Sequence, residues 1–278
     1  MSVRRESRSE DDGYRSPLVP GLRASADAAR LAREIAFSSG RLLGLAAYPP
    51  GLYGELRALA AEDLERASWG ALLLAYLSPL QGEDPFLGIR AALAAWGDGQ
   101  TPTVPELGEI PLGPRTSHDP ARGGETLIAY LQWVERSGGT QAKAFAGDPA
   151  WSPERRFERL FERLALPGFG RTGRYELLVT LGRLGMYELR AGSLELAGAG
   201  GVSAEDPTAL AAKRVFGIAD PLLLERRAGA LARAVPVPVE ALDLALSNWG
   251  SPVRATLGFP VHTHDAVAQE GAEKALGI

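Results

Sequence analysis

The chain has 278 residues, enough for a sizeable core, and its 45% hydrophobic and 23% charged residues are ordinary globular values. It contains no cysteine, which excludes disulfides, thiolate metal sites and cysteine nucleophiles and favours a cytoplasmic location. The formal net charge of −4 argues against broad electrostatic adhesion to nucleic acid, although a local basic face remains compatible with it.

The N-terminal residues are polar and mixed in charge, without the apolar stretch that a signal peptide needs. Residues 1–23 are therefore predicted to be a disordered tail. No apolar run in the chain approaches the roughly 20 residues of a bilayer span, so no membrane partner is predicted.

After this tail the apolar residues recur at helical spacing, and no stretch alternates in the way that a strand does. Helices are predicted over 24–43, 52–67, 69–80, 85–96, 125–136, 152–166, 174–184, 206–216, 220–231 and 239–249. The stretch 97–124 is rich in Gly, Pro and Thr and is predicted to be a long surface excursion. The predicted fold class is all-α, with a helical domain of two lobes over 24–250 and a C-terminal extension over 251–278.

The most informative segment is Leu166–Gly173, which reads LPGFGRTG between two amphipathic helices. Glycines permit positive φ in a tight turn and let main-chain N–H groups approach a phosphate, and the following helix directs its positive dipole end to the same place. The residues predicted to bind DNA are Gly168, Phe169, Gly170, Arg171, Thr172 and Arg174, with both arginines as phosphate ligands. A Pro-Gly turn between helices that binds nothing is the alternative.

This hairpin resembles that of the helix-hairpin-helix DNA glycosylases. The segment 72–85, LLLAYLSPLQGEDP, resembles the buried helix and Gln-containing turn that precede the hairpin in those enzymes. More closely, the chain is similar to the alpha-glutamyl/putrescinyl thymine pyrophosphorylase family. The second resemblance rests on Phe169-Gly170-Arg171, Arg174-Tyr175, Ala212-Lys213-Arg214, Asp220-Pro221, Leu224-Glu225-Arg226-Arg227, Leu242-Asp243-Leu244-Ala245-Leu246 and Asn248-Trp249-Gly250. It implies a glycosylase-like fold and recognition or release of a modified base, in defence against phages with altered DNA.

The chain departs from the glycosylase pattern at the catalytic position. Those enzymes place an Asp beyond the hairpin, where it supports the cationic sugar, and this chain has Arg190 at that distance. Asp243, early in a helix, is the predicted replacement, and Asp220 is a second candidate. Each carboxylate also has a simpler interpretation, Asp243 as a charge that stabilises a helix start and Asp220 as the N-cap before Pro221.

An extruded base needs a pocket with polar groups for its edge and aromatic faces for stacking. The predicted pocket residues are Gln81, Glu83, Tyr175, Lys213, Asn248 and Trp249. Lys213 also has the chemistry of an amine nucleophile, whereas Trp249 is equally typical of a core residue. The pair His262 and His264 stands without further ligand types nearby, so neither a metal nor another cofactor is predicted.

The leading hypothesis is a DNA glycosylase-like enzyme that flips a modified nucleotide and cleaves its N-glycosidic bond. DNA with modified bases is the predicted partner, and no protein partner is inferred. A non-catalytic module that binds modified or damaged DNA fits the same hairpin. A third interpretation keeps the fold and moves the substrate to a free nucleotide or another small molecule.

Overall fold

The computed structural model describes residues 10–96, 104–197 and 206–278, and all regular structure in these ranges is helical. The α-helices are α1 (Ser25–Ala47), α2 (Leu52–Leu59), α3 (Leu64–Leu77), α4 (Leu87–Ala94), α5 (Glu125–Arg136), α6 (Gln141–Ala146), α7 (Pro153–Arg163), α8 (Arg171–Arg183), α9 (Pro207–Phe216), α10 (Pro221–Ala234), α11 (Glu240–Gly250) and α12 (Ala266–Leu276). The predicted all-α class is confirmed. Within the same ranges, no helix has the length and apolar character needed to cross a bilayer.

The helices pack as two groups around α8. In one group α3 is buried from Ala67 to Leu77 between α2, α4, α6 and α8, which explains why its apolar residues run all round the helix. In the other group α1 packs on α11 and α12, and α9 packs on α11. Arg41 of α1 and Glu176 of α8 form a buried ion pair that joins the second group to α8. The helix α8 that follows the hairpin is therefore held from both sides.

Several helix boundaries differ from those expected. The single helix predicted over 52–67 is interrupted by a turn at residues 60–63, and Asp63 caps α3 by accepting a hydrogen bond from the Arg66 N–H at 2.9 Å. Two helices, α6 and α12, lie in stretches for which no helix was predicted. Apolar periodicity continues across a tight turn, so the pattern alone does not reveal the break.

Part of the predicted tail lies against the helices. Residues 1–9 are outside the described ranges, whereas residues 10–23 are described and place the Val19 and Leu22 side chains in the core. The C-terminal extension packs in a similar way, with α12 on α1. Both segments bury a few apolar side chains, which stabilises them without a long periodic pattern.

The loop that was predicted to lie on the surface packs partly into the interior. Residues 97–103 lie outside the described ranges, but residues 104–124 follow the C-terminal end of α3. The Gly113 N–H donates to the Leu77 carbonyl at 3.0 Å, and the Ser117 N–H donates to the Tyr76 carbonyl at 2.8 Å. These bonds bring a charged residue of the loop, Arg115, into the interior, where it is only 7% exposed.

Candidate functional site

The hairpin between α7 and α8 has a backbone that its sequence requires. Gly168 has φ +76°, and a Cβ at this position would lie 2.2 Å from Thr126 Oγ1, so only glycine fits. Phe169 is buried and packs edge-on against Tyr76, with ring centroids 6.2 Å apart. The turn is thus held in place by the contact of Phe169 with Tyr76 and by the close approach of Gly168 to Thr126 of α5.

The α8 N-terminus has no side-chain cap among the described residues. Gly170 occupies the N-cap position, is exposed, and has no side chain with which to accept a hydrogen bond from the first turn. The first-turn N–H groups of a helix have no intrahelical acceptor and carry the positive end of its dipole. The main-chain contact of this turn with a phosphate stays a prediction, with which the uncapped N-terminus of α8 is compatible.

The two hairpin arginines do not point to solvent, and the prediction that they contact phosphate has to be corrected. Arg171 Nη1 donates to Asp243 Oδ1 at 2.7 Å, and Nη2 donates to the Leu194 carbonyl. Arg174 Nη1 donates to the Phe161 carbonyl at 2.9 Å, and its guanidinium lies 4.2 Å from the centre of the Phe161 ring. Each residue is 6% exposed, because α7, α11 and the segment after α8 offer them acceptors and an aromatic surface.

A different arginine is exposed beside the hairpin. Arg122 belongs to the 104–124 loop, and its Cδ lies 3.0 Å from the position that a Cβ on Gly168 would take. Its side chain is 45% exposed, with a loose contact of 3.7 Å from Nε to Asp119 Oδ2. Sequence reasoning missed Arg122 because nothing in the local pattern shows that the loop folds back onto the hairpin.

The position of Arg122 predicts that its side chain contributes to DNA binding. If its guanidinium neutralises one phosphate, Arg122→Gln weakens binding equally on modified and unmodified duplexes and lowers the slope of log K against log salt by about 1. Fluorescence anisotropy over a salt series measures both quantities. Arg226→Gln, which removes an exposed arginine of α10, is the matched control and should leave the slope unchanged. Equal slopes of log K against log salt for all three proteins would show that Arg122 does not contact a DNA phosphate.

Asp243 lies at the centre of a buried ion-pair network. Its Oδ1 accepts the bond from Arg171, and its Oδ2 accepts a bond of 2.6 Å from Arg115 Nη2. Burial acts to raise the pKa of Asp243, but the charges of Arg171 and Arg115 hold it below the ordinary value, so the carboxylate is ionised. Asp243 is 2% exposed, and both oxygens are occupied. Enclosed in this way, the carboxylate does not reach a bound sugar, which corrects its predicted catalytic contact.

A second carboxylate extends this network. Asp206 Oδ1 accepts the Ala209 N–H at 2.9 Å and lies 3.7 Å from Arg171 Nη1, and its Oδ2 accepts the Thr172 hydroxyl at 2.9 Å. We call Arg115, Arg171, Asp206 and Asp243 together the Arg-Asp network. All four carboxylate oxygens of the network therefore have a partner.

A cavity of about 100 Å³ adjoins the Arg-Asp network. Its wall includes Arg115 and Thr116 of the loop, Thr172 of the hairpin helix, and Ser247 and Asn248 of α11. The loop, the hairpin and α11 are far apart in sequence, so only the tertiary fold assembles this wall. The amide of Asn248 is already paired with the backbone of Ala255, at 2.9 Å and 3.1 Å.

Arg115 has more donors than partners. Its Nε and Nη1 are buried and have no hydrogen-bond partner, whereas its Nη2 is bonded to Asp243. Leaving a buried donor unpaired costs about 1 to 3 kcal/mol, and more for a charged group, so such atoms are rare in folded proteins. Arg115 therefore combines a place in the cavity wall with two enclosed donors that have no partner.

The predicted aromatic pocket faces are enclosed in the core. Tyr175 is 1% exposed, and its hydroxyl donates to the Ser193 carbonyl at 2.9 Å. Trp249 is 3% exposed, its Nε1 donates to the Asp27 carbonyl at 3.0 Å, and its ring contacts the guanidinium groups of Arg30 and Arg214. Neither ring is open to stack on a base. Trp249 is a core residue, as its alternative interpretation predicted.

The other predicted residues lie outside the cavity wall. Gln81 and Glu83 are exposed, with the Gln81 amide within hydrogen-bonding distance of Thr256. Lys213 lies half-buried near the end of α9. Asp220 is the exposed N-cap of α10 and accepts the Leu223 N–H at 2.9 Å, as its simpler interpretation stated. Arg190, at the position where glycosylases carry Asp, is exposed and bonds to Glu154 at 2.7 Å.

His118 anchors the loop that carries Arg115, through a contact of 2.9 Å between its Nδ1 and the Tyr76 hydroxyl. Burial lowers the pKa of His118, with Asp119 acting weakly in the other direction, so the folded state favours the neutral imidazole. The unfolded state then binds the proton more readily. The contribution of the neutral His118 to the free energy of unfolding is fully present above the unfolded pKa of about 6.5. This contribution falls as the pH drops below that value.

The resulting prediction concerns the acid side of the stability profile. Between pH 7.5 and 5.5 the wild type should lose up to about 1.4 kcal/mol more unfolding free energy than His118→Gln. This is the upper limit for a single group, because a difference of one bound proton changes the free energy of unfolding by about 1.4 kcal/mol per pH unit, and His118 can lose that amount only below about pH 6.5. Urea titrations at both pH values measure the difference. His262→Gln, at an exposed histidine, is the matched control. Parallel losses in the wild type and His118→Gln would contradict the assignment.

Fold and site together define an all-helical protein in which a helix-hairpin-helix turn lies next to a buried, arginine-lined cavity. The model of the alpha-glutamyl/putrescinyl thymine pyrophosphorylase clade 3 family matches residues 115–257. This range includes the Arg-Asp network, the hairpin and α11, and the chain belongs to that family. No curated protein and no solved structure gives a significant match.

Proposed function

We propose that this protein binds DNA through the 166–173 hairpin and acts on a modified thymine whose base edge enters the cavity at Arg115. The observation that carries the proposal is the position of Arg115, whose guanidinium is buried and partly unpaired, in the wall of a cavity that shares Thr172 with the hairpin helix. Family membership supplies the substrate class, since the family is named for thymine with alpha-glutamyl or putrescinyl groups.

The size of the cavity limits what enters it. Its volume of about 100 Å³ is a fraction of the roughly 300 Å³ or more that sites for drug-sized ligands hold. The cavity therefore takes one edge of the base or its substituent, not the whole nucleotide. Inside a duplex this edge is not free to approach a buried guanidinium, so the nucleotide has to leave the stack first.

Excision is the first candidate reaction. Water forms a bond to the sugar C1′, the bond from C1′ to the base N1 breaks, the electron pair stays on the base, and a proton from the water passes to the base. Negative charge that develops on the departing pyrimidine spreads to its carbonyl oxygens, where donors such as Arg115 stabilise it. The helix-hairpin-helix turn favours this candidate, because DNA glycosylases use such a hairpin to hold the duplex.

A reaction with pyrophosphate is the second candidate, and the polarity of the site favours it. All four carboxylate oxygens of the Arg-Asp network are occupied, while its unpaired atoms are donors: Nε and Nη1 of Arg115 and Nε of Arg171. Donors suit a phosphate better than the cationic sugar of a glycosylase, which needs a carboxylate. In this reaction an oxygen of pyrophosphate forms a bond to the carbon that carries the thymine substituent, and the bond from that carbon to the substituent breaks. The substituent leaves with the electron pair and takes up the proton that the pyrophosphate gives up.

One assay separates the two reactions. Duplexes that carry alpha-glutamyl thymine, putrescinyl thymine or ordinary thymine are incubated with the protein and radiolabelled pyrophosphate. Alkali-labile sites and a released modified base indicate excision. Label bound to DNA, or an altered nucleoside by mass spectrometry, indicates the pyrophosphate reaction. Binding without either product supports the non-catalytic module, and action on the free nucleoside alone contradicts the role of the hairpin.

A further inference from the structure

The segment that follows α11 connects the cavity beside the hairpin helix to the surface of α1. Thr172 of α8 and Val253, which follows α11, both belong to the wall of this cavity. Arg254 comes directly after Val253 and is partly exposed, and its guanidinium lies 4.1 Å from the centre of the Phe37 ring of α1. The surface around Arg254 therefore lies across the cavity from the hairpin helix.

Two more arginines lie against Trp249, near the C-terminal end of α11. The guanidinium of Arg30 on α1 is 5.3 Å from the centre of the Trp249 ring, and that of Arg214 on α9 is 5.0 Å from it. A guanidinium that rests on an aromatic ring is attracted to the ring and keeps its N–H donors at the edge of the group. Contact with Trp249 thus restricts both side chains and leaves donors for an anion.

A fourth arginine lies on the same part of α1. Arg33 is exposed, three positions after Arg30 and four before Phe37. Residues three and four positions apart are neighbours on the surface of a helix. Arg33 therefore lies between Arg30 and the ring on which Arg254 packs. We call Arg30, Arg33, Arg214 and Arg254 together the arginine patch.

The arginine patch carries more positive than negative charge. The α1 residues Asp27 and Glu34 are the carboxylates beside it, and Glu34 pairs with Arg254 at 3.0 Å. Arg30 and Arg33 are both exposed, and neither forms an ion pair within the described ranges. The whole chain has 34 acidic and 30 basic residues, so this surface is positive on a protein that is negative overall. A polyanion is the partner that such a surface fits.

The hairpin alone offers DNA few contacts. Its exposed groups are the α8 N-terminus and the neighbouring Arg122, whereas Arg171 and Arg174 are buried. A DNA strand carries a phosphate for about every 3.4 Å of duplex axis, and affinity rises with each phosphate that a cation neutralises. A strand held at the α8 N-terminus brings further phosphates past the cavity towards α1.

We propose that the arginine patch is a second DNA contact, which binds phosphates of the strand that the hairpin holds, on the other side of the cavity. Arg30 and Arg33 are the direct phosphate ligands, and Arg214 and Arg254 add positive potential. The inference rests on the DNA binding in the proposed function, and it does not depend on which base or substituent reacts. A nucleotide opposite the cavity then has its backbone fixed on both sides.

The first test measures the binding of an unmodified duplex by anisotropy over a salt series. The double variant Arg30→Gln, Arg33→Gln should lower the slope of log K against log salt by about 2 and weaken binding about 10-fold or more at about 100 mM salt, because each phosphate contact contributes about 0.9 to the slope. Arg226→Gln, Arg233→Gln removes the same charge from exposed positions of α10 and should leave the slope unchanged. Arg30→Lys, Arg33→Lys keeps both charges and should retain most of it.

Ethylation interference then locates the phosphates that each contact needs. With the wild type, ethylation should block binding at two groups of phosphates on one strand. Arg30→Gln, Arg33→Gln should remove one group. Gly170→Asp should remove the other, because a Cβ at Gly170 meets no atom within 4 Å and the added carboxylate occupies the α8 N-terminus in place of a phosphate.

The outcomes separate this inference from the proposed function. A double variant that matches its α10 control in slope and keeps both groups of phosphates overturns the second contact and leaves hairpin binding standing. Loss of slope in the double variant, with no effect of Gly170→Asp, supports the arginine patch as a DNA ligand and contradicts the hairpin contact of the proposed function. If the wild type binds no duplex even at low salt, both fail.

Discussion

Asp243→Ala is expected to lower the free energy of unfolding by about 3 to 5 kcal/mol, the cost typical of removing one partner from a buried salt bridge. The substitution leaves the guanidinium groups of Arg115 and Arg171 facing each other in the interior without the carboxylate between them. Total stabilities of about 5 to 15 kcal/mol are usual for a domain, so this loss is a large fraction. Urea denaturation followed by circular dichroism measures it.

The matched control is Asp220→Ala, which removes an exposed helix cap and should cost about 1 kcal/mol. Asp243→Asn keeps the volume and one acceptor oxygen, and we expect an intermediate loss. This series also decides the role of Asp243. If Asp243→Asn keeps nearly full stability but abolishes reaction on modified DNA, the carboxylate acts on the substrate, and its assignment to the ion-pair network is wrong.

Arg115→Gln is expected to lower the rate of reaction on modified DNA by about 100-fold, the effect typical of removing a donor that stabilises developing negative charge. Binding of ordinary duplex DNA should change little, because the side chain is buried beneath the hairpin rather than exposed beside it. Asp243 keeps its bond to Arg171 in this variant, so the stability loss should be smaller than for Asp243→Ala. Single-turnover kinetics with either modified duplex measure the rate.

Two comparisons make this prediction specific. Arg115→Lys keeps the positive charge but loses the planar fork of donors, so it should recover only part of the rate. Arg122→Gln should weaken DNA binding without changing the single-turnover rate at saturating protein. An Arg115→Gln protein that folds, binds DNA and reacts at the wild-type rate would exclude Arg115 from the chemistry of either candidate reaction.

Local features of the sequence determined the fold class and the main turns. Helical spacing of apolar residues predicted most helices, and Ser152, Asp206 and Asp220 cap α7, α9 and α10, each directly before a proline in the first helical position. The hairpin glycines were also identified correctly as a tight turn, with positive φ at Gly168. These features are readable because caps, turns and periodicity depend on residues only a few positions apart.

The sequence did not show which way the charged and aromatic side chains point. Arg171 has the same local context whether it faces a phosphate or Asp243, which lies 72 residues further along the chain. Arg115 is separated from Asp243 by 128 residues and belongs to a stretch with no helical pattern. Only the packing of α8, α11 and the loop decides these directions, because burial and ion pairing are set by neighbours that are distant in sequence. The sequence thus determined an all-helical protein with a hairpin, and the tertiary structure alone placed an unsatisfied guanidinium at a cavity beside it.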